Sequence, residues 1–173
     1  MSARAAVRLA GLGFRHVYRY TPGKLDWFAF GLPMEGERAK LPQAGQALRP
    51  DVPTCHPTDR LRDVHLHTQA GGWKVCIVVD ESGVVLGRLR REAWDGDPSA
   101  PVESVMENGP TTFRPDYLLE ALVKRMRDKK VGSVLVTNSD GVLLGILYRT
   151  DAEQWLQAVH RPGDGQAQPD QPR

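Results

Sequence analysis

The chain has 173 residues, 40% of them apolar and 25% charged, which is enough apolar material for the core of one compact domain or two small ones. Its 23 basic and 21 acidic residues leave a net charge of +2, which argues against a general nucleic-acid binder, and no apolar run approaches the roughly 18 residues of a membrane span. Two cysteines, Cys55 and Cys76, exclude a disulfide scaffold and a four-cysteine zinc site and suggest a reducing cytoplasm; the histidines show no paired ligand spacing apart from His65 and His67, which two residues apart on a helix point in different directions, so no metal is expected.

At the N-terminus Ala3, Val7 and Ala10 recur at helical spacing until Gly11 or Gly13 stops them, and Arg4 and Arg8 precede no continuous apolar run, so a secretory signal is not expected. Phe14 to Tyr20 alternates like a strand, Pro22-Gly23-Lys24 turns the chain, and Leu25 to Phe30, with Trp27, ends at Gly31-Leu32-Pro33. This stretch resembles the final strand and helix of a rhodanese-like domain; the alternative is a small strand and helix packed on the main module. The catalytic cysteine loop of that family lies upstream of the matched stretch, whereas Cys55 follows it, so sulfurtransferase chemistry is not expected. Residues 37–47 read as linker.

Beyond the linker the chain repeats itself at an ungapped shift of 58 positions: Thr54, Pro57 and Leu61 fall on Thr112, Pro115 and Leu119, and Gly83-Val84-Val85-Leu86-Gly87 falls on Gly141-Val142-Leu143-Leu144-Gly145. Each copy begins with an extended entry, Val52 to Cys55 or Pro110 to Phe113. A helix follows: Leu61, Val64, His65 and Thr68 share one face in the first copy, and Leu119, Leu122, Val123 and Met126 form a stronger stripe in the second, with Asp116 as expected N-cap. The runs Val75 to Val79 and Val134 to Thr137 predict strands buried on both faces. The turns Asp80-Glu81-Ser82-Gly83 and Asn138-Ser139-Asp140-Gly141 then lead into third strands, Val84 to Leu89 and Val142 to Tyr148. A closing helix is expected only in the second copy, with Thr150 and Glu153 as a capping box; Asp95-Gly96-Asp97-Pro98 cuts its counterpart short, and Pro101 to Met106 predicts a brief connecting helix. Residues 161–173 read as a disordered tail.

Order, spacing and the doubled Gly-apolar-Leu pattern, with Val-Met-Glu-Asn-Gly-Pro-Thr-Thr-Phe-Arg-Pro-Asp and Gly-Val-Leu-Leu-Gly-Ile-Leu-Tyr-Arg-Thr-Asp, resemble a tandem pair of cystathionine-β-synthase-type (CBS) domains, a Bateman module, over about residues 46–160. The resemblance implies an α/β (α+β) fold of duplicated β-α-β-β-α units forming one pseudo-two-fold module: residues 1–45 as remnant and linker, 46–107 and 108–160 as the two repeats. It also implies clefts for adenosyl ligands, with backbone groups of the middle strand on the base, an acid at the start of the closing helix on the ribose, and a Ser or Thr three positions earlier near phosphate.

On that pattern Asp151 matches the ribose acid, Thr112 the entry threonine, and Val134, Leu135 and Val136 the middle strand, while Tyr148 stands at the Ser/Thr position, able to donate, stack on the base or block the cleft. Asp151 serves equally as a helix-start charge. The first copy is weaker: Thr54 remains, Ala93 replaces the acid, and Arg90 takes the Ser/Thr position. Arg88, Arg90 and Arg91 form a basic cluster that either binds phosphate or keeps an edge solvated. No catalytic constellation appears, so the expectation is a cytoplasmic regulatory module rather than an enzyme, without metal, nucleic acid or membrane as partner, that binds AMP, ADP, ATP or S-adenosylmethionine for a regulated partner unknown. The alternative is a dimeric interaction scaffold with degenerate sites. A homodimer through Leu119, Leu122, Val123 and Trp155 is expected, and both thiols are expected to be buried and inert.

Overall fold

The computed structural model describes residues 2–18, 20, 23, 27, 32, 35–36 and 40–159. Residues 19, 21–22, 24–26, 28–31 and 33–34 of the rhodanese-like stretch, residues 37–39 of the linker and the tail 161–173 lie outside the described residues. The first helix, α1 (Ser2–Gly11), forms where the Ala3–Val7–Ala10 spacing places it. The strand expected from Phe14 is absent over 14–18, where Phe14 and Tyr18 are exposed. Alternation makes a strand only where a neighbour can pair with it.

The first repeat comprises β1 (Thr54–Cys55), α2 (Leu61–Ala70), β2 (Cys76–Val79) and β3 (Val85–Leu89). A short β4 (Glu107–Asn108) precedes the second repeat: β5 (Thr112–Phe113), α3 (Leu119–Asp128), β6 (Ser133–Thr137), β7 (Leu143–Tyr148) and α4 (Arg149–Val159). Two sheets result, ordered β1-β2-β3-β4 and β5-β6-β7. The duplication survives at the level of register. Thr54 pairs with Ile77 as Thr112 pairs with Leu135, both in parallel, and each hairpin carries a bulge at the same place, after Val78 and after Val136.

The apolar stripe of α3 explains its position: Leu119, Leu122, Val123 and Met126 are all buried against the second sheet. Each such side chain contributes about 1.5–3 kcal/mol by leaving water. The premise of the expected helix-mediated dimer does not hold for Leu119, Leu122 and Val123, which are covered by their own chain, and Trp155 is partly buried against the same cluster. Three clusters make up the core, one within each repeat and a third in which Ile77 and Val79 meet Leu135 and Ile146 between the sheets.

The expected caps are not used. Helix α3 starts at Leu119 with Leu118 rather than Asp116 before it, and the Leu119 N–H donates to the Pro42 carbonyl at 2.9 Å. Helix α2 does the same with Ala100 at 3.0 Å. Backbone from elsewhere in the fold thus satisfies donors that a side-chain cap would otherwise take. In α4 the helix already includes Arg149 and Thr150, and Glu153 accepts from Arg127 at 2.8 Å instead of closing a capping box.

Those Pro42 and Ala100 carbonyls belong to matching segments. The one-turn 3-10 helices Ala44–Gln46 and Val102–Ser104 occupy equivalent places, with Ala44 and Val102 fully buried. Over 42–47 the stretch expected to be linker is therefore docked on the fold, with Gln43 and Ala44 buried. Each such segment docks across the repeats: Gln43 bridges to Leu118, and Arg49 exchanges hydrogen bonds with Ile146 at 2.7 and 3.0 Å, while β4 pairs with β3. The two hairpins also interlock. The Val85 N–H donates to Gly141 at 3.1 Å and the Leu143 N–H to Gly83 at 3.0 Å. In the first repeat the closing helix shrinks, as expected, to a 3-10 turn at Arg91–Asp95.

Candidate functional site

The interlock brings the starts of β2 and β6 beside the ends of β3 and β7, where a cavity of about 390 Å³ opens. Val134, Leu135 and Tyr148, three of the residues expected at a ligand, line it, and so does Arg90. Lys74, Arg88 and Lys130 complete a cationic rim that the sequence reading did not assemble. The remaining expected residues are elsewhere. Val136 is fully buried in the core of the second repeat, and Thr112 and Thr54 are exposed on the short entry strands, outside the cavity lining.

Asp151 stands in the first turn of α4, three residues beyond Tyr148, where it accepts a 2.6 Å hydrogen bond from Arg49 Nε. The Arg49 guanidinium also lies over the Tyr148 ring, 5.2 Å from its centroid. Arg49 arrives there because its segment crosses to form an isolated bridge with Ile146. Sequence reasoning missed it, since nothing local announces a crossing; the available signal was the repeat itself, which aligns Arg49 with Glu107. The pair is half open to solvent, with side-chain exposures of 52% and 25%. Such a pair holds by only about 0–1 kcal/mol, so a ligand can displace it. Tyr148 is partly buried, and that burial raises its phenol above the usual value, keeping it a neutral hydrogen-bond donor.

The first-repeat wall is held differently. Arg88 grips Glu107 with two hydrogen bonds of 2.7 Å, and Arg90 approaches the same carboxylate at 3.5 Å. The hydrogen bond from Arg88 holds Glu107 below the usual carboxylate range. The basic cluster is thereby divided: Arg88 and Arg90 line the cavity, whereas Arg91 is exposed in the 3-10 turn. Cys55 and Cys76 are free, buried thiols of the first repeat's core; hydrogen bonding to Cys76, then burial, raises the Cys55 thiol. Among the described residues no three His, Cys, Asp or Glu side chains gather as metal ligands, and no helix is long and apolar enough to cross a membrane.

Residues 102–157 match the family model of the CBS domain. No curated protein sequence matches the chain significantly. Solved structures do match its fold. The cytosolic domain of the Mg2+ channel MgtE in complex with ATP is 22% identical with a TM-score of 0.61, covering 68% of this chain and 51% of that one. CBSX2 in complex with AMP is 17% identical with a TM-score of 0.62, over 69% of this chain and 99% of that one. The CBS domain pair of protein MJ0100, in complex with 5′-methylthioadenosine and S-adenosyl-L-methionine, is 15% identical with a TM-score of 0.59, over 69% and 98%. The chain thus spans about half the length of the MgtE domain and nearly all of the other two. Its fold is the mixed α/β architecture of a CBS-domain pair.

Proposed function

We propose that the chain is a regulatory module that binds an adenine nucleotide or a related adenosyl ligand in the cavity between its repeats and does not itself catalyse a reaction. The observation that carries this reading is a cavity in which a half-buried tyrosine and the backbone of a buried strand face a rim of cations. That is the chemistry of a flat, hydrogen-bonding base joined to an anion. In this reading the base lies by Tyr148 and the start of β6, Val134 and Leu135. The ribose hydroxyls reach Asp151 by displacing Arg49, and the phosphate turns toward Arg90. Thr112, Thr54 and Val136 support the strands and make no ligand contact. The adenosyl ligands in the names of the matching structures, AMP, ATP, 5′-methylthioadenosine and S-adenosylmethionine, agree with this class.

The second reading, an interaction scaffold with degenerate sites, draws on one observation: Asp151 is engaged by Arg49 while its first-repeat counterpart is Ala93. Calorimetric titration of the native chain with AMP, ADP, ATP and S-adenosylmethionine separates the two. Saturable binding at one site supports the sensor; no heat from any of them at millimolar concentration leaves the scaffold.

A further inference from the structure

Both repeats line the cavity, and eight of its residues form pairs matched by the 58-position shift, yet the chemistry of the two walls differs. The 58-position shift matches Lys74 to Gly132, Arg88 to Ile146 and Arg90 to Tyr148, and all six residues line the cavity. The first repeat supplies three cations where the second supplies none, and the second supplies the aromatic ring. We propose that the cavity takes one ligand per chain in a single orientation, its adenosyl end on Tyr148 and a di- or triphosphate along Lys74, Arg88, Arg90 and Lys130. This rests on the nucleotide reading and adds to it the phosphate number, the orientation and the stoichiometry.

Charge argues for more than one phosphate. Four cations face the cavity and Glu107 is the carboxylate that answers them, taken up mainly by Arg88. A monophosphate carries about two negative charges, which Arg90 and one lysine satisfy. Both lysines are exposed and form no ion pair among the described residues, so they are free to meet further phosphates. Lys130 also stands at a position where a side chain is costly. Its φ of 55° is left-handed, and its counterpart in the first repeat, Gly72, has a φ of 72°. Glycine holds that conformation without strain whereas lysine does not, so the backbone gains nothing from the lysine and its charge at the rim is what it contributes.

The test is titration calorimetry on the native chain and on Lys74→Ala/Lys130→Ala, with AMP, ADP, ATP and inorganic tripolyphosphate. Both lysines are exposed, so the double variant should keep its fold, which its melting temperature checks. We expect one site per chain, affinity rising about tenfold or more from AMP to ATP through added charged hydrogen bonds, and tripolyphosphate competing with ATP. In the double variant ATP should lose at least tenfold while AMP falls by no more than about fivefold, the share of the one lysine that its phosphate reaches. Equal affinities for AMP and ATP, two sites per chain, or an unchanged ATP preference in the double variant would overturn the proposal. AMP binding with no gain from further phosphates sinks this inference and leaves the nucleotide reading. Competing-free tripolyphosphate binding, with no heat from AMP or from adenosine, sinks the nucleotide reading and with it the orientation proposed here.

Discussion

Replacing Gly145 by alanine tests the crossing of the Arg49 segment, on which the delivery of Arg49 to the site depends. A Cβ at 145 would lie 2.8 Å from Leu48 Cδ1 and 2.9 Å from the carbonyl carbon of Arg49, and closer still to the Arg49 oxygen. The Leu48 side chain can rotate away. The Arg49 peptide cannot, because its N–H and carbonyl are both bonded to Ile146. The methyl must therefore push the crossing segment off β7 or remain in contact with it. Overpacking of this kind costs about 1–3 kcal/mol, and weakening the two hydrogen bonds adds about 1 kcal/mol. A total of about 2–4 kcal/mol lowers the melting temperature by roughly 5–15 °C in a chain of this size. The control is Gly132→Ala, where an added Cβ meets nothing within 4 Å, and its stability should change by no more than about 0.5 kcal/mol. Urea unfolding of the three proteins gives the comparison. If Gly145→Ala unfolds with Gly132→Ala, the crossing segment is not seated on β7 and the placement of Arg49 against Asp151 loses its basis.

If Arg49 competes with the ligand for Asp151, the two partners respond with opposite sign. Asp151→Ala should weaken nucleotide binding about five- to thirtyfold and Arg49→Ala should strengthen it up to about fivefold, since the exposed pair is worth at most about 1 kcal/mol; calorimetry showing that both weaken it would make Arg49 a ligand contact instead. Cys55 should resist a thiol reagent in the native state, because bonding to Cys76 and burial disfavour its thiolate; modification at the unfolded-chain rate near neutral pH would contradict its burial. Glu107 and Glu153 are both held below the usual range by hydrogen bonds from arginines, Arg88 and Arg127. Their stabilisation is present above the unfolded carboxylate value, about 4.3, and is lost as pH falls through the lower folded values. Denaturant midpoints measured from pH 6 to pH 3 should therefore fall less steeply in Glu107→Gln than in the native chain, though by a small margin because Glu107 is half exposed.

The repeat made most of the fold legible. Strand order, the two hairpins and the stripe of α3 all follow from apolar period and from residues matched at one fixed shift. What failed was whatever depends on backbone that arrives from a distance. Asp116 and Thr150 have the right local chemistry for caps, but the donor at the start of α3 is taken by Pro42. The segment at 42–47 reads as linker because its residues are small and polar, and only its docking shows why Ala44 must be small. Of the residues that line the cavity, Val134, Leu135, Tyr148 and Arg90 were expected through the resemblance to a CBS pair. Lys74 and Lys130 were not, because neither belongs to a periodic pattern, and they become neighbours only when the two strand starts meet at the cavity.

The crossing of Arg49 onto β7 also has a consequence for the order in which the protein can be made. Arg49 and Asp151 lie 102 residues apart in sequence, and Pro42, Gln43 and Ala44 are joined to the segment around Leu118. As the chain emerges from the ribosome, the first repeat must therefore wait with its leading segment undocked until the second repeat has been synthesised. Closing such a long loop costs only slightly more than closing a shorter one, so the delay carries little penalty in final stability. It does mean that a nascent chain stopped before the second repeat lacks the Gly141 carbonyl that the Val85 N–H uses, so the hairpins interlock only once both halves have been made.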